Sequence, residues 1–423
     1  MQVAQPKEKF ILHSFETKLL FLIIYFIIVI TTEIFYRNAL FNLLPNQHSF
    51  QQTIRSYPAI STYFEVITLF GSQTLLAPIA LFISLLIPIH KLISILLSLF
   101  FSVYFDNIMK LIYSNPRPYW EDPSLFNDHC DIGYGNPSGH SFTSAATYLS
   151  IWYIITDYSF FKSKRKGKVI RVILLYVFIL FILSIMLSRI YLGVHSFNQI
   201  IYGFLLGVGT FLLFFWVFEV QKYDGELFFR KYKQHYISII LFFILCFVAL
   251  IVIYLLRDVN VDEYIKVLED KCKEEYDNKK YRLFKNDGMY GSLIFCGLFG
   301  GYCGYLLLVK LMEKNYLGKE EKFVNWGAKG FGYLVVRFVT MVVFCFPFCI
   351  KFVLKFNDNL GLKYVFEYAV PYFLVGFLAV GPGLYFGFVI VEKWDSANHR
   401  NTINIKIAEP MFDPVQGETQ NQI

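Results

Sequence analysis

Charge is scarce in this 423-residue chain, where Asp, Glu, Lys and Arg together make up 17% while hydrophobic residues reach 56% and aromatics 19%. With a mean hydropathy of +0.48, that shortage excludes an ordinary water-soluble domain. Segments of about ten alternating residues are missing, which argues against a membrane β-barrel. No CxxC pair is accompanied by histidines, so no metal site and no cofactor are expected. The glycine clusters follow no predicted strand, which leaves a nucleotide-binding fingerprint unsupported. Internal repeats and long linkers are also absent, and the first apolar run is followed by no small-residue cleavage site, so it reads as a retained signal-anchor.

What the chain does have is apolar runs of about 20 residues, the length a helix needs to cross the hydrocarbon of a bilayer. Ten spans are expected, near 19–36, 65–89, 92–113, 141–156, 172–188, 200–218, 237–256, 289–311, 331–355 and 370–391, the fourth being short and polar-edged. The fold class is therefore all-α, a polytopic membrane helix bundle. The loop 157–171, with six Lys/Arg against one acid, places its side in the cytosol, and basic loops at 221–235 and 312–330 agree. Both termini then face the cytosol. The net charge of +7 reflects this orientation bias, and no nucleic-acid partner is expected.

Seven cysteines cannot all pair. Cys246, Cys296, Cys303, Cys345 and Cys349 lie in apolar runs and read as small buried hydrophobes. Cys130 and Cys272 fall in two non-cytosolic loops, where a disulfide is permitted without being the favoured reading. The mixed-charge segment 257–287, with Val261, Ile265, Leu268, Cys272 and Tyr276 at helical spacing, reads as a solvated amphipathic helix. Glycines in "GLFGGYCG" (297–304), "GFLLG" (203–207) and "GLYFG" (383–387) have the spacing that lets membrane helices pack closely.

Three polar clusters interrupt the apolar pattern, "KLIYSNPRPYW" (110–120), "GNPSGHS" (135–141) and "SRIYLGVHSFNQ" (188–199). All three fall on the non-cytosolic side by the loop count. Lys110, Arg117, His140, Arg189 and His195 at a membrane boundary demand a partner, and no matching set of carboxylates is evident nearby in the sequence. The expected partner is an external anion, best a phosphate dianion. Pro116 and Pro118 would end any helix, leaving Lys110 in the last turns of span three and Arg117 in the loop beyond. Ser138 is a plausible N-cap and Gly139 allows close backbone approach at a helix N-terminus. Four residues separate His195 from Gln199, so the amide oxygen can accept the Nδ1–H and leave Nε2 free as a nucleophile. Arg189 can lie over the same phosphate from beyond the Gly193 turn.

Lys110 with six residues to Arg117-Pro118, then Pro137-Ser138-Gly139-His140, then Ser188-Arg189 with five residues to His195, resembles the three-part signature of the type 2 phosphatidic acid phosphatase and vanadium haloperoxidase superfamily. The resemblance implies that His195 attacks phosphorus, that His140 protonates the leaving alcohol and then activates water, and that Lys110, Arg117, Ser138, Gly139, Arg189 and both histidines line the phosphate pocket. No metal is required in the phosphatase branch. Most lipid phosphatases of the family carry aspartate where this chain has Gln199, whereas glucose-6-phosphatase-like members carry glutamine. An amide orients the imidazole but stabilises its cation less than a carboxylate does.

The resulting expectation is a cytosolic N-terminus (1–17), a six-span phosphatase core (18–220), a four-span extension (221–391) and a polar cytosolic tail (392–423). Its substrate would be a phosphate monoester presented at the lumenal or exterior face of the endoplasmic reticulum or plasma membrane. A lipid phosphate such as phosphatidic acid or a sphingoid or isoprenoid phosphate suits a site at helix ends among membrane lipids. A soluble sugar phosphate is the enzymatic alternative, and a non-enzymatic lipid transporter or scramblase is the rival from another class.

Overall fold

The computed structural model describes residues 7–72, 75–76, 79, 89–125, 130–157, 165–219, 235–315, 335, 339, 343, 360–383, 385–387, 389–390 and 393. Among the described residues every regular element is helical. Seven helical stretches among these residues are long and apolar enough to cross a membrane, Phe15–Phe41, Ser94–Glu121, Arg165–Tyr191, Phe197–Val217, Tyr236–Leu256, Lys285–Leu311 and Leu360–Gly387. They coincide with expected spans one, three, five, six, seven, eight and ten. Most of spans two and nine lies outside the described residues, as do Cys345, Cys349, the 221–234 loop and the C-terminal tail.

Helix α1 (Lys7–Phe41) leads into two short helices, α2 (Leu44–Arg55) and α3 (Pro58–Leu69), each opened by a proline whose fixed φ suits a first turn. The sequence reading assigned no element to α2, because its run of Gln, Asn and His carries no apolar stripe of membrane length. Next come α4 (Ile89–Tyr113), α5 (Gly139–Ile155), α6 (Arg165–Tyr191) and α7 (Phe197–Leu212), the last continuing into a wide turn at Leu213–Val217.

The weak fourth span is the hub of this part. Helix α5 has 17 residues, short for a lipid-exposed crossing, and it packs against α4, α6 and α7. Ser141, Thr143, Ser144, Thr147 and Ser150 are consequently buried. All but the Thr147 hydroxyl turn to nearby acceptors, as in Ser150 Oγ to the Ala146 carbonyl at 2.6 Å and Thr143 Oγ1 to the Gly139 carbonyl at 2.7 Å. The polar edge that weakened the span in the sequence is thus its packing surface. Close approach of α7 depends on Gly203 and Gly207, where a Cβ would lie 2.5 Å from the Ser138 carbonyl oxygen and 2.6 Å from the Ala145 Cβ. Helix α1 closes over α7 through Tyr25, whose hydroxyl donates to the Leu205 carbonyl at 2.7 Å.

Helix α4 faces two cores. Ile95, Leu99 and Val103 belong to the cluster around α5 and α6. Tyr104, Ile108 and Leu111 pack instead with α8 (Tyr236–Leu256), α11 (Lys285–Ser292) and α12 (Phe295–Asn315). The 297–304 glycines let α12 meet the helix α13 (Val370–Leu378) backbone to backbone, since a Cβ on Gly300 would overlap the Phe373 carbonyl oxygen.

The segment 257–287 departs from the solvated amphipathic helix expected. It breaks into α9 (Asp262–Lys271) and α10 (Lys273–Lys279), and its apolar face is docked. Leu268 and Cys272 are buried in the core that includes Trp120 and Tyr134. The Tyr264 ring lies 5.4 Å from that of Trp120, and its hydroxyl meets Glu121 at 2.7 Å, donating to the carboxylate. The Phe284 amide donates to the Ile132 carbonyl at 2.7 Å. Cys130 and Cys272 are joined in a disulfide with Cα atoms 5.7 Å apart, so the pairing that was permitted but not favoured is formed. Proteolysis of unreduced protein should release one linked peptide containing both cysteines, and two separate peptides after reduction. Recovery of free thiols at both positions from unreduced protein would contradict this pairing.

Candidate active site

The three polar clusters converge at one end of the bundle, where α4 and α6 end and α5 and α7 begin. Backbone hydrogen bonds and one amide side chain bind each cluster to the others. Gly135 N–H donates to the Asn115 carbonyl at 2.9 Å, Ser138 N–H to the Gln199 carbonyl at 2.9 Å, and Gln199 Nε2 to the Pro116 carbonyl at 2.8 Å. A shift in any one cluster therefore displaces the other two.

Lys110 lies in the last turn of α4, as expected. Its ammonium is 2.9 Å from Asp106 Oδ2 one turn back on the same helix, and the Asp106 side chain is buried. Gly139 sits against this pair, since a Cβ there would fall 2.6 Å from Asp106 Oδ2 and 3.4 Å from Lys110 Nζ. Ser138 occupies the N-cap position of α5 with extended backbone, but its side chain caps nothing and instead accepts from Ser141 Oγ at 3.2 Å. The expected N-cap thus holds in position and not in bonding. His140 follows in the first turn and is half-buried.

Arg117 is extended between its two prolines, at φ −86° and ψ 154°, and precedes a single turn at Pro118–Glu121. Its guanidinium donates to the Gly133 carbonyl (2.7 Å), to Asp131 Oδ2 (3.0 Å) and to the Val194 carbonyl (3.1 Å), and lies 3.4 Å from His195 Nε2. Arg189, in the last turn of α6, donates to Thr68 Oγ1 at 2.9 Å and to the same Asp131 oxygen at 3.1 Å.

The chain then turns through Gly193 at φ 72°, a left-handed conformation that a side chain would strain. Two glutamines of α2 brace this turn. Gln47 Nε2 donates to the carbonyls of Ile190 and His195, both at 3.1 Å, and Gln51 Nε2 donates to the Tyr191 carbonyl at 2.8 Å. His195 Nδ1 is 3.0 Å from Gln199 Oε1, which also accepts from the Ser196 N–H at 3.3 Å. Because Gln199 Nε2 is committed to Pro116, the amide presents oxygen to the ring, Nδ1 carries the proton and the Nε2 lone pair faces the Arg117 N–H at 3.4 Å. Burial first, then the positive charges of Arg117, Arg189 and Lys110, hold the His195 imidazole well below its ordinary pKa. The ring is therefore neutral, as a nucleophile must be.

The structure corrects one expectation. Carboxylates do accompany the cations, with Asp106 on Lys110 and Asp131 across Arg117 and Arg189. A third, Glu33 of α1, is buried behind the loops and accepts from Asn136 Nδ2 at 2.7 Å and Asn198 Nδ2 at 3.2 Å. Asp106 was discernible as an acid one helical turn before Lys110. Asp131 and Glu33 were not, because nothing in local spacing ties them to the motifs. Among the described residues no group of three or more His, Cys, Asp and Glu is arranged to hold a metal ion.

Residues 91–223, which contain all eight expected site positions, match the family model described as the PAP2 superfamily. This segment belongs to the PAP2 superfamily. The chain is 28% identical over 172 residues to glucose-6-phosphatase catalytic subunit 1 of Felis catus, covering 37% of this chain and 45% of the relative. It is 29% identical over 122 residues to dolichyldiphosphatase of Saccharomyces cerevisiae (29% and 49%) and 31% identical over 104 residues to phosphatidylglycerophosphatase B of Bacillus subtilis (25% and 45%). The chain thus spans about half the length of these curated relatives. A solved transmembrane PAP2-type phosphatidylglycerolphosphate phosphatase from Bacillus subtilis is similar at a TM-score of 0.38 and 21% identity, over 49% of this chain and 96% of that one.

Proposed function

We propose that the protein is an integral membrane phosphatase that hydrolyses a lipid phosphate monoester through a phosphohistidine on His195. The observation that carries this reading is the setting of one imidazole, with Nδ1 held by Gln199 at 3.0 Å and Nε2 3.4 Å from the Arg117 guanidinium. The ring is aimed, neutral, and placed where an anionic phosphoryl group would be bound. In the first step Nε2 attacks phosphorus and the P–O ester bond breaks, with His140 giving a proton to the leaving oxygen. Water then attacks the phosphohistidine, His140 accepts its proton, and the N–P bond breaks to release phosphate. Lys110, Arg117, Arg189 and the backbone at Ser138–Gly139 stabilise the charge gathering on the equatorial oxygens.

The same reading places the site at the non-cytosolic face of the endoplasmic reticulum or plasma membrane. The Cys130–Cys272 disulfide beside it supports that side, since disulfides persist in oxidising compartments. It also keeps the ten-span layout, with a phosphatase core over 18–220 and an extension over 221–391 that buttresses α4. Similarity to dolichyldiphosphatase and phosphatidylglycerophosphatase B favours a lipid substrate. Gln199, together with the similarity to glucose-6-phosphatase, favours a sugar phosphate as the second reading.

The test is phosphate release by purified protein from matched panels of lipid, isoprenoid and sugar phosphates, with and without chelator. Turnover of the lipid panel that persists in chelator and is inhibited by vanadate is the expected result. Restriction to soluble sugar phosphates would select the second reading, and a requirement for added Mg²⁺ would sink the mechanism.

The rate should also report the charge state of His195. Its depressed pKa means that protonation of His195 costs activity only well below pH 6.5, the unperturbed histidine value, whereas loss of the substrate dianion begins at about pH 6. Bound phosphate dianion favours the protonated His140 that donates to the leaving oxygen, so the basic limb belongs to kcat. An acidic limb of kcat/KM centred at or above pH 6.5 would contradict this account of His195.

A further inference from the structure

One carboxylate oxygen, Asp131 Oδ2, lies 3.0 Å from Arg117 and 3.1 Å from Arg189, bridging the two guanidinium groups. An oxygen shared by two guanidinium groups at such distances is the contact a bound phosphoryl oxygen would make. We propose that Asp131 is an internal anion that occupies part of the phosphate position when no substrate is bound, so that substrate must displace it and only a dianionic phosphate does so effectively. This inference rests on the phosphatase reading above.

Exposure separates this role from that of a residue backing the arginines. The Asp131 side chain is 40% exposed while those of Arg117 and Arg189 are 4% and 5% exposed. The carboxylate therefore lies on the open side of the guanidinium groups, the side from which a ligand must arrive. A residue that merely oriented the arginines from behind would be as buried as they are.

The backbone around Asp131 is clamped. Tyr119 Oη donates to its carbonyl at 2.7 Å, Arg117 Nε donates to the Gly133 carbonyl at 2.7 Å, and the preceding Cys130 is tied to Cys272. Displacement then needs only rotation of the side chain, with the loop left in place. Burial alone would favour the neutral acid, but the charges of Arg117 and Arg189 overcome it and hold the carboxyl below the usual carboxylate range. The group stays charged across the working pH range, and the ligand has to compete with it.

The consequence is selectivity. Without Asp131, two buried arginines would attract any anion, including phosphodiesters and lipid headgroups that carry a single charge. A competing carboxylate lowers every anion's apparent affinity by the same factor, so only ligands of the highest intrinsic affinity, the dianionic monoesters, stay bound at working concentrations.

The experiment measures vanadate affinity by direct binding on full-length protein, together with monoester and diester hydrolysis, for the parent, Asp131→Asn and His195→Ala. If Asp131 holds the site nine-tenths of the time or more, its loss should tighten vanadate by about tenfold or more, and the weak hydrolysis of diesters should rise by the same factor at low substrate concentration. A folded Asp131→Asn protein that binds vanadate equally or more weakly overturns the proposal and makes Asp131 an orienting residue. Should that variant not fold, Asp131→Ser, which also removes the competing charge from the same clamped loop, must bind vanadate more tightly than the parent, and unchanged affinity overturns the proposal. Near-parental turnover by His195→Ala would defeat the phosphatase reading separately, whatever the binding results.

Discussion

His195→Ala should lose turnover by about 10⁵-fold or more, because in the proposed mechanism its removal abolishes the whole two-step path and leaves only the binding and charge-stabilising groups. Rapid quenching under non-acidic conditions should trap a phosphohistidine in the parent and none in this variant. Its neighbour tests a different role. Gln199→Ala keeps the attacking nitrogen but releases Nδ1 from its 3.0 Å partner and the Pro116 carbonyl from its 2.8 Å donor. Hydrogen bonds of this kind contribute about 1–2 kcal/mol each, so a fall of roughly 10- to 100-fold is expected. Gln199→Asp is instructive for the same reason. Its carboxylate could stabilise the imidazolium, yet it cannot donate to Pro116, and its shorter side chain must reach the ring across the same gap. It should therefore fall below the parent and not exceed it. Parental turnover in His195→Ala would return the 188–199 cluster to the status of an interfacial loop.

Arg117→Lys should be nearly as damaging as removal of the side chain. The guanidinium serves the Gly133 carbonyl, Asp131 and the Val194 carbonyl at once while standing 3.4 Å from His195 Nε2. A lysine ammonium is a point charge that cannot reproduce this planar fork. Each buried acceptor left without a donor costs about 1–3 kcal/mol, so the variant should lose several kcal/mol of stability and about 10³-fold in kcat/KM. Arg117→Ala should additionally move the acidic limb of the pH profile upward, because one of the charges that keep His195 neutral is gone. A variant in which stability and the pH profile both match the parent would show that Arg117 does not clamp these loops.

Much of this site was legible in one dimension because its chemistry is costly to place at a membrane boundary. Lys110, Arg117, Ser138, Gly139, His140, Arg189, His195 and Gln199 stand out against apolar runs, and their positions at helix ends follow from prolines, a glycine turn and span length. Span four was harder to read. Its serines and threonines look unsuitable for lipid, and only the packing of three helices around α5 explains them. The 257–287 segment misled for a related reason, since its apolar stripe was visible but spacing cannot show that Trp120 and Tyr134 cover it.

By itself, then, the sequence determined the helical membrane class, the three motifs, their common end of the bundle and the aimed histidine, because spacing and hydropathy act through local geometry. Tertiary structure alone decided which carboxylates neutralise which cations, which glutamines hold the Gly193 turn and whether Cys130 and Cys272 pair. Glu33 meets Asn136 and Asn198 across 103 and 165 residues, and Gln47 meets His195 across 148. No local periodicity encodes partners so far apart. They are selected when the helices pack and each buried polar group must find a counterpart.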